Sequence, residues 1–214
     1  MNHRLRRLGG GISLIAAPAV FLAGTAIHPG LRADGSEQLD LIAQHPGAWY
    51  ATHILGLAFV VLMIPAVLTL TQLLGDREPF LTSLGGALSL VGLVGWGSIV
   101  VIYGLVFWQM GVAGDRTEMA ALLERLTHTP GVLVPTRVAA FGAVAGMICL
   151  AAGLFRARVL PAWGCVAIAM GLVAFAVGAQ TELVWLMTLG TACLTAGLGM
   201  AARVVLRHAP TPPV

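Results

Sequence analysis

Residues 159–179, VLPAWGCVAIAMGLVAFAVGA, and residues 183–202, LVWLMTLGTACLTAGLGMAA, are apolar runs parted only by Gln180-Thr181-Glu182. Each matches the roughly 20 residues that a helix needs to cross a bilayer. Two crossings with almost no loop between them form a helical hairpin. Glu182 sits at its tip and is the only carboxylate from Arg125 to Val214. An acid at the edge of hydrocarbon is costly to keep charged, so it marks a functional-site hypothesis.

The rest of the chain extends this reading. It has 214 residues, 58% hydrophobic and 10% charged, with a mean hydropathy of +0.90. Soluble domains carry about a quarter charged residues. The backbone must satisfy its own hydrogen bonds in lipid, and no alternating strand pattern is present. The expected fold is all-α, an integral membrane bundle of six transmembrane helices near 9–27, 49–74, 81–110, 132–155, 160–179 and 183–205. The chain reads as one transmembrane domain over 1–214. Met1–Ala26 has the outline of a signal peptide but a poor cleavage site, so it reads as a retained first helix.

All 12 basic residues are arginine. With abundant Ala, Gly and Val, this suggests a high-GC bacterial gene and a bacterial plasma membrane. Cytoplasmic connections collect positive charge. With the amino terminus inside, Arg4, Arg6, Arg7, Arg77, Arg156, Arg158, Arg203 and Arg207 are inside, and Arg32, Arg116, Arg125 and Arg137 are outside. Both termini are therefore expected in the cytoplasm. Most acids then lie outside, with His28, His45, His53 and His128.

A shift of 84 residues aligns Pro46-Gly47 with Pro130-Gly131, Thr52 with Thr136 and Met63-Ile64 with Met147-Ile148. This suggests a parallel internal repeat over 34–110 and 118–179, each copy opening with a short amphipathic acidic segment. His53 then corresponds to Arg137. Glycines at 85, 86, 92, 95 and 97, and at 142 and 146, are expected to let helices approach closely. Pro18 and Pro65 are expected to kink their helices.

Candidate chemistry gathers at one level. Glu182, His53 and Arg137 are the catalytic candidates. His28, Gln109 and Gln180 supply further polar groups, and Tyr50 lies three residues before His53. Trp96, Tyr103 and Phe107, spaced by seven and four, form an aromatic stripe on one helix. Trp185 follows Glu182 by three and is expected on the same helical face. An apolar cavity with aromatic walls and a few polar groups is the usual form of a site for a lipophilic small molecule. An interfacial aromatic belt explains Trp49, Tyr50, Trp108 and Trp185 equally well. Burial of Glu182 would favour its neutral, proton-donating form, whereas a nearby Arg137 would hold it ionised.

Other chemistries have weaker support. His28, His45, His53, Asp40 and Glu37 offer a loose metal set without paired spacing, so no metal is expected. The cysteines (Cys149, Cys165, Cys193) lie in apolar runs without ligand spacing. Dinucleotide, Walker-type and nucleophile-elbow motifs are absent, so no cofactor is expected. No basic segment is interleaved with aromatics, which speaks against nucleic acid. The expected partners are the lipid bilayer and a lipophilic small molecule.

The segment HPGAWYATHILGLA (45–58), with the Arg-only, Ala/Gly/Val-rich spans, resembles small uncharacterised membrane proteins of actinobacteria. In chemistry and size the chain is also similar to integral-membrane terpene cyclases. That resemblance implies an isoprenoid substrate, Glu182 as general acid, and carbocation stabilisation by Trp185, Trp96, Tyr103 and Phe107. The fungal members of that class typically have seven spans, against six expected here. The alternatives are a transporter, export or immunity protein binding its ligand at the outer mouth, and a non-catalytic membrane partner or assembly factor.

Overall fold

Proline and aspartate decide where the helices begin. A computed structural model describes residues 3–113 and 115–207, all of the regular structure there being helical. Met1, Asn2, Gly114 and residues 208–214 lie outside it, and with them the first two residues of the leader considered above. The elements are α1 (His3–Ala26), α2 (Gly35–Gln44), α3 (Pro46–Leu74), α4 (Pro79–Ile99), a π-helical segment (Val100–Val106), α5 (Phe107–Val112), α6 (Arg116–His128), α7 (Pro130–Arg156), α8 (Ala162–Gln180) and α9 (Val184–Arg207). Pro46, Pro79 and Pro130 open their helices, at the position where a missing N–H has no cost. Asp34 caps α2 through the Ser36 and Glu37 N–H groups at 2.9 and 3.0 Å. Asp115 does the same for α6 through Thr117 and Glu118 at 2.9 and 3.1 Å.

Six helices are long and apolar enough to cross a membrane: Leu5–Ala26, Pro46–Arg77, Pro79–Val112, Pro130–Arg156, Ala162–Gln180 and Val184–Arg207. The six long apolar helices expected from the sequence are therefore present. The spans pack as a closed ring, α1 to α3, α4, α7, α8, α9 and back to α1. The short helices α2 and α6 sit together at the end where α1, α5 and α8 finish and α3, α7 and α9 begin. Arg116 of α6 pairs with Asp40 of α2 there. At the opposite end, Arg156 reaches Glu78 in the α3–α4 connection at 3.1 Å. Helices α1 and α3 run on through Pro18 and Pro65 without interruption. Thr69 Oγ1 donates to the Pro65 carbonyl at 2.7 Å.

Small residues set the seams. A Cβ added to Gly92 of α4 would lie 2.6 Å from the Ala143 Cβ of α7. One on Gly171 of α8 would lie 2.6 Å from the Gly190 carbonyl oxygen of α9. Bilayers supply no hydrophobic drive between helices, so contact of this kind is what holds them. Threonines add polar links across α9, α1 and α3. Thr25 and Thr191 hydroxyls meet at 2.9 Å, and Thr52 Oγ1 donates to the Gly24 carbonyl at 3.1 Å.

Candidate functional site: an aromatic-floored cavity

At the end covered by α2 and α6 the ring encloses a cavity of about 470 Å³, to which all six spans contribute. Its floor is aromatic. Phe21 stacks on Phe59 at 4.2 Å and meets Phe175 at 4.9 Å, and Trp96 stands edge-on to Phe175 at 5.3 Å. Tyr103 and Phe107, 4.9 Å apart, continue up one wall. Cavities of this size, mostly apolar with a few polar groups, are the usual form of small-molecule sites.

The polar groups form the upper part. On α3, Trp49, Thr52, His53 and Gly56 present one inward stripe at helical spacing. Trp49 is only 2% exposed and donates from its indole to the Gly104 carbonyl at 3.0 Å. It is a buried anchor, not the interfacial belt residue that the sequence allowed. Gly104 belongs to the π-helical segment, where the widened helix changes which carbonyls are engaged. A Cβ at Gly104 would overlap the His53 ring, so glycine there seats the imidazole.

Of the three histidines that line the cavity among the described residues, His28 and His53 have complementary roles. His53 Nδ1 lies 2.7 Å from the Trp49 carbonyl, an oxygen that can only accept. This nitrogen therefore carries the proton, leaving Nε2 as an acceptor. His28 is the reverse: its Nδ1 accepts the Gly30 N–H at 3.1 Å, so neutral His28 has its proton on Nε2. The rings lie 5.7 Å apart, and His28 also stands edge-on to Trp49 at 5.2 Å. Burial, and next the charge of His53, lower the His28 pKa to about 4. Near neutral pH the pair offers one N–H donor and, at His53 in its neutral form, one nitrogen lone pair.

Glu182 lies on the cavity wall in an unexpected backbone state. Its φ is +61°, in the left-handed region that favours glycine. The cause is the end of α8. The Leu183 N–H bonds back to the Gly178 carbonyl at 2.9 Å, the Schellman closure, and Glu182 occupies the position usually given to glycine. Arg158, at φ +53°, closes α7 in the same way, with Val159 N–H on the Leu154 carbonyl at 2.9 Å.

One expectation about Glu182 is corrected, and the alternative left open beside it is not met. It is exposed, so the burial that would favour a neutral acid is not there. Nor does it pair with Arg137: the ion pairs among the described residues are Arg116–Asp40, His128–Glu124 and Arg156–Glu78. Glu182 and Arg137 line the same cavity without meeting.

The structure brings eight of the expected residues to this cavity: His28, His53, Trp96, Tyr103, Phe107, Arg137, Gln180 and Glu182. Three lie elsewhere. Gln109 lines a separate surface depression with Leu105 and Met119, because two helical steps from Phe107 turn it to the opposite face. Tyr50 follows the buried Trp49, is 43% exposed and packs 5.1 Å from Trp108. Trp185 is 64% exposed. The same-face argument fails for it because Glu182 precedes α9 and is not helical. His28 and His53 come together without Glu37, Asp40 or His45, and no three His, Cys, Asp or Glu side chains cluster among the described residues.

His53 and Arg137, which the 84-residue shift aligns, both line the cavity, from α3 and α7. Sequence reasoning missed Phe21, Phe175, Arg32 and Gln38. Phe21 and Phe175 were visible as aromatics inside apolar spans. No protein-family model matches the chain, and no curated protein or solved structure matches it either.

Proposed function

We propose that this is a membrane-embedded enzyme that takes a lipophilic substrate into the cavity and acts on it by general acid–base chemistry at the polar end. The observation carrying this is a single cavity that joins an aromatic floor to Glu182, His53 and Arg137. His53 Nε2 accepts a proton, and Glu182 exchanges one with the mouth. Arg137 and Gln180 hold polar substrate groups. The faces of Trp96, Tyr103 and Phe107 favour positive charge developing on an unsaturated chain, which suits an isoprenoid. Arg137 and Phe141 are exposed as well as cavity-lining, so the α7 wall is the route by which substrate enters. The arginine-rich end faces the cytoplasm of a bacterial cell and the mouth faces outward.

A second reading, ligand transport, is favoured by one observation. The order of short helix, proline-opened long helix and long helix occurs twice, as α2–α3–α4 and α6–α7–α8. Flux in vesicles without product formation would select it.

Lipid extracts of expressing cells, compared by mass spectrometry, test the enzymatic reading. Glu182→Gln and Glu182→Gly are both expected to lose the product that wild type forms. Glycine also removes a left-handed cost of about 1 kcal/mol, so Glu182→Gly is expected to unfold at a higher temperature than wild type. A wild-type lipid profile in both variants contradicts a catalytic Glu182.

A further inference from the structure

The cations above the aromatic floor have no acidic partner among the described residues, Arg32 Nη1 donating to the Leu31 carbonyl at 2.8 Å. Arg32 and Arg137 both line the cavity, and neither forms an ion pair among the described residues. Three nearby acids are engaged elsewhere. Asp34 caps α2 and receives the Ser36 hydroxyl, Asp40 holds Arg116, and Glu124 meets His128 at 3.3 Å. Among the described residues, Glu182 is the only carboxylate on the cavity wall, against two guanidinium groups. Gln38 sharpens the pattern. It is 5% exposed, and its Oε1 accepts the Arg32 N–H at 2.8 Å. That bond fixes the amide with Nε2 as the remaining donor, and Nε2 is buried with no partner. A buried donor left unpaired is costly, so a native structure that keeps one calls for an explanation. The Trp96 indole N–H is likewise buried and unpartnered on the cavity wall.

We infer that the polar end of the cavity is a seat for an oxyanion, and that its ligand is a single-chain amphipath ending in a carboxylate or phosphate. Arg137 and Arg32 supply charge, and Gln38 Nε2 and the His28 Nε2–H supply directed donors. The chain lies on Phe21, Trp96 and Phe175. This deepens the enzymatic reading and rests on the cavity being the ligand site.

Native mass spectrometry of the purified full chain tests it with hexadecanoate, hexadecyl phosphate, hexadecanol and inorganic phosphate as probes. The two anionic amphipaths are expected to bind one per chain, and the alcohol about tenfold or more weaker, as loss of a charge-assisted contact implies. Arg137→Gln should weaken the two anionic amphipaths far more than the alcohol and so shrink that preference, and Arg137→Lys should restore part of it. Gln38→Leu gives an independent reading of the same seat. Equal binding of acid and alcohol, or an unchanged preference in Arg137→Gln, overturns the anionic head but leaves the cavity standing. Inorganic phosphate binding as tightly as hexadecyl phosphate overturns the amphipath. Failure of every chain-bearing probe to bind wild type overturns the cavity reading as well.

Discussion

Gly92→Ala is expected to destabilise the bundle by about 3 kcal/mol or more, although it adds a single methyl group. The new Cβ would overlap the Ala143 backbone on α7 and come within 2.6 Å of its Cβ. A flexible side chain could swing away, but backbone cannot. The α4–α7 pair must therefore separate along a seam that small residues hold together. Gly97→Ala is the control. Its Cβ would meet only Val60, at an ordinary 3.6 Å, and alanine is the better helix former by about 1 kcal/mol. Unfolding in mixed micelles is expected to show a large loss for Gly92→Ala and little change or a gain for Gly97→Ala. Equal effects would contradict the packing.

The second large effect is a loss of stability in acid. His28 titrates near 6.5 when unfolded and at about 4 when folded. Between those values the unfolded chain binds the extra proton, so stability is fully present above pH 6.5 and falls as pH drops toward 4. At about 1.4 kcal/mol per unit, the shift sets an upper bound of about 3 kcal/mol on the loss. Burial is the main cause and the facing charge of His53 the next. His28→Asn keeps an oxygen to accept the Gly30 N–H and cannot titrate in this range. Its stability is expected to stay nearly level between pH 6.5 and 4.5 while wild type falls. Parallel decline in both would contradict the assignment to His28.

Particular residues show which parts of this architecture could be read from sequence. Span number and approximate limits follow from run length, because a bilayer leaves the backbone no alternative to continuous helix. The covering helices follow from Asp34 and Asp115, each three residues before a glutamate, and from the prolines that open α3 and α7. The α4 glycine series was legible as a seam. The series at 164, 171 and 178, facing 190 and 197, carries the same signal on α8 and α9 and went unread.

The site was harder to read for geometric reasons. Position along a span gives depth, and that brought His28, His53, Arg137, Gln180 and Glu182 to one cavity. Direction depends on helical phase, which sequence spacing gives only inside an unbroken α-helix. Glu182 lies outside α9 in a left-handed closure, so Trp185 could not be placed from it. The π-helical turn at Val100–Val106 was equally invisible. Gln38 became meaningful only when α2 folded over the mouth and buried it.

The central claim is that this cavity holds a lipophilic molecule, and its occupancy can be weighed directly. Native mass spectrometry of the chain purified gently from its membrane is expected to show one bound lipophilic molecule per chain. Ala176→Trp places an indole in the cavity from α8, beside Phe175, and is expected to remove that mass while the fold is retained. Wild type with no bound molecule, or Ala176→Trp carrying the same one at the same occupancy, would contradict it.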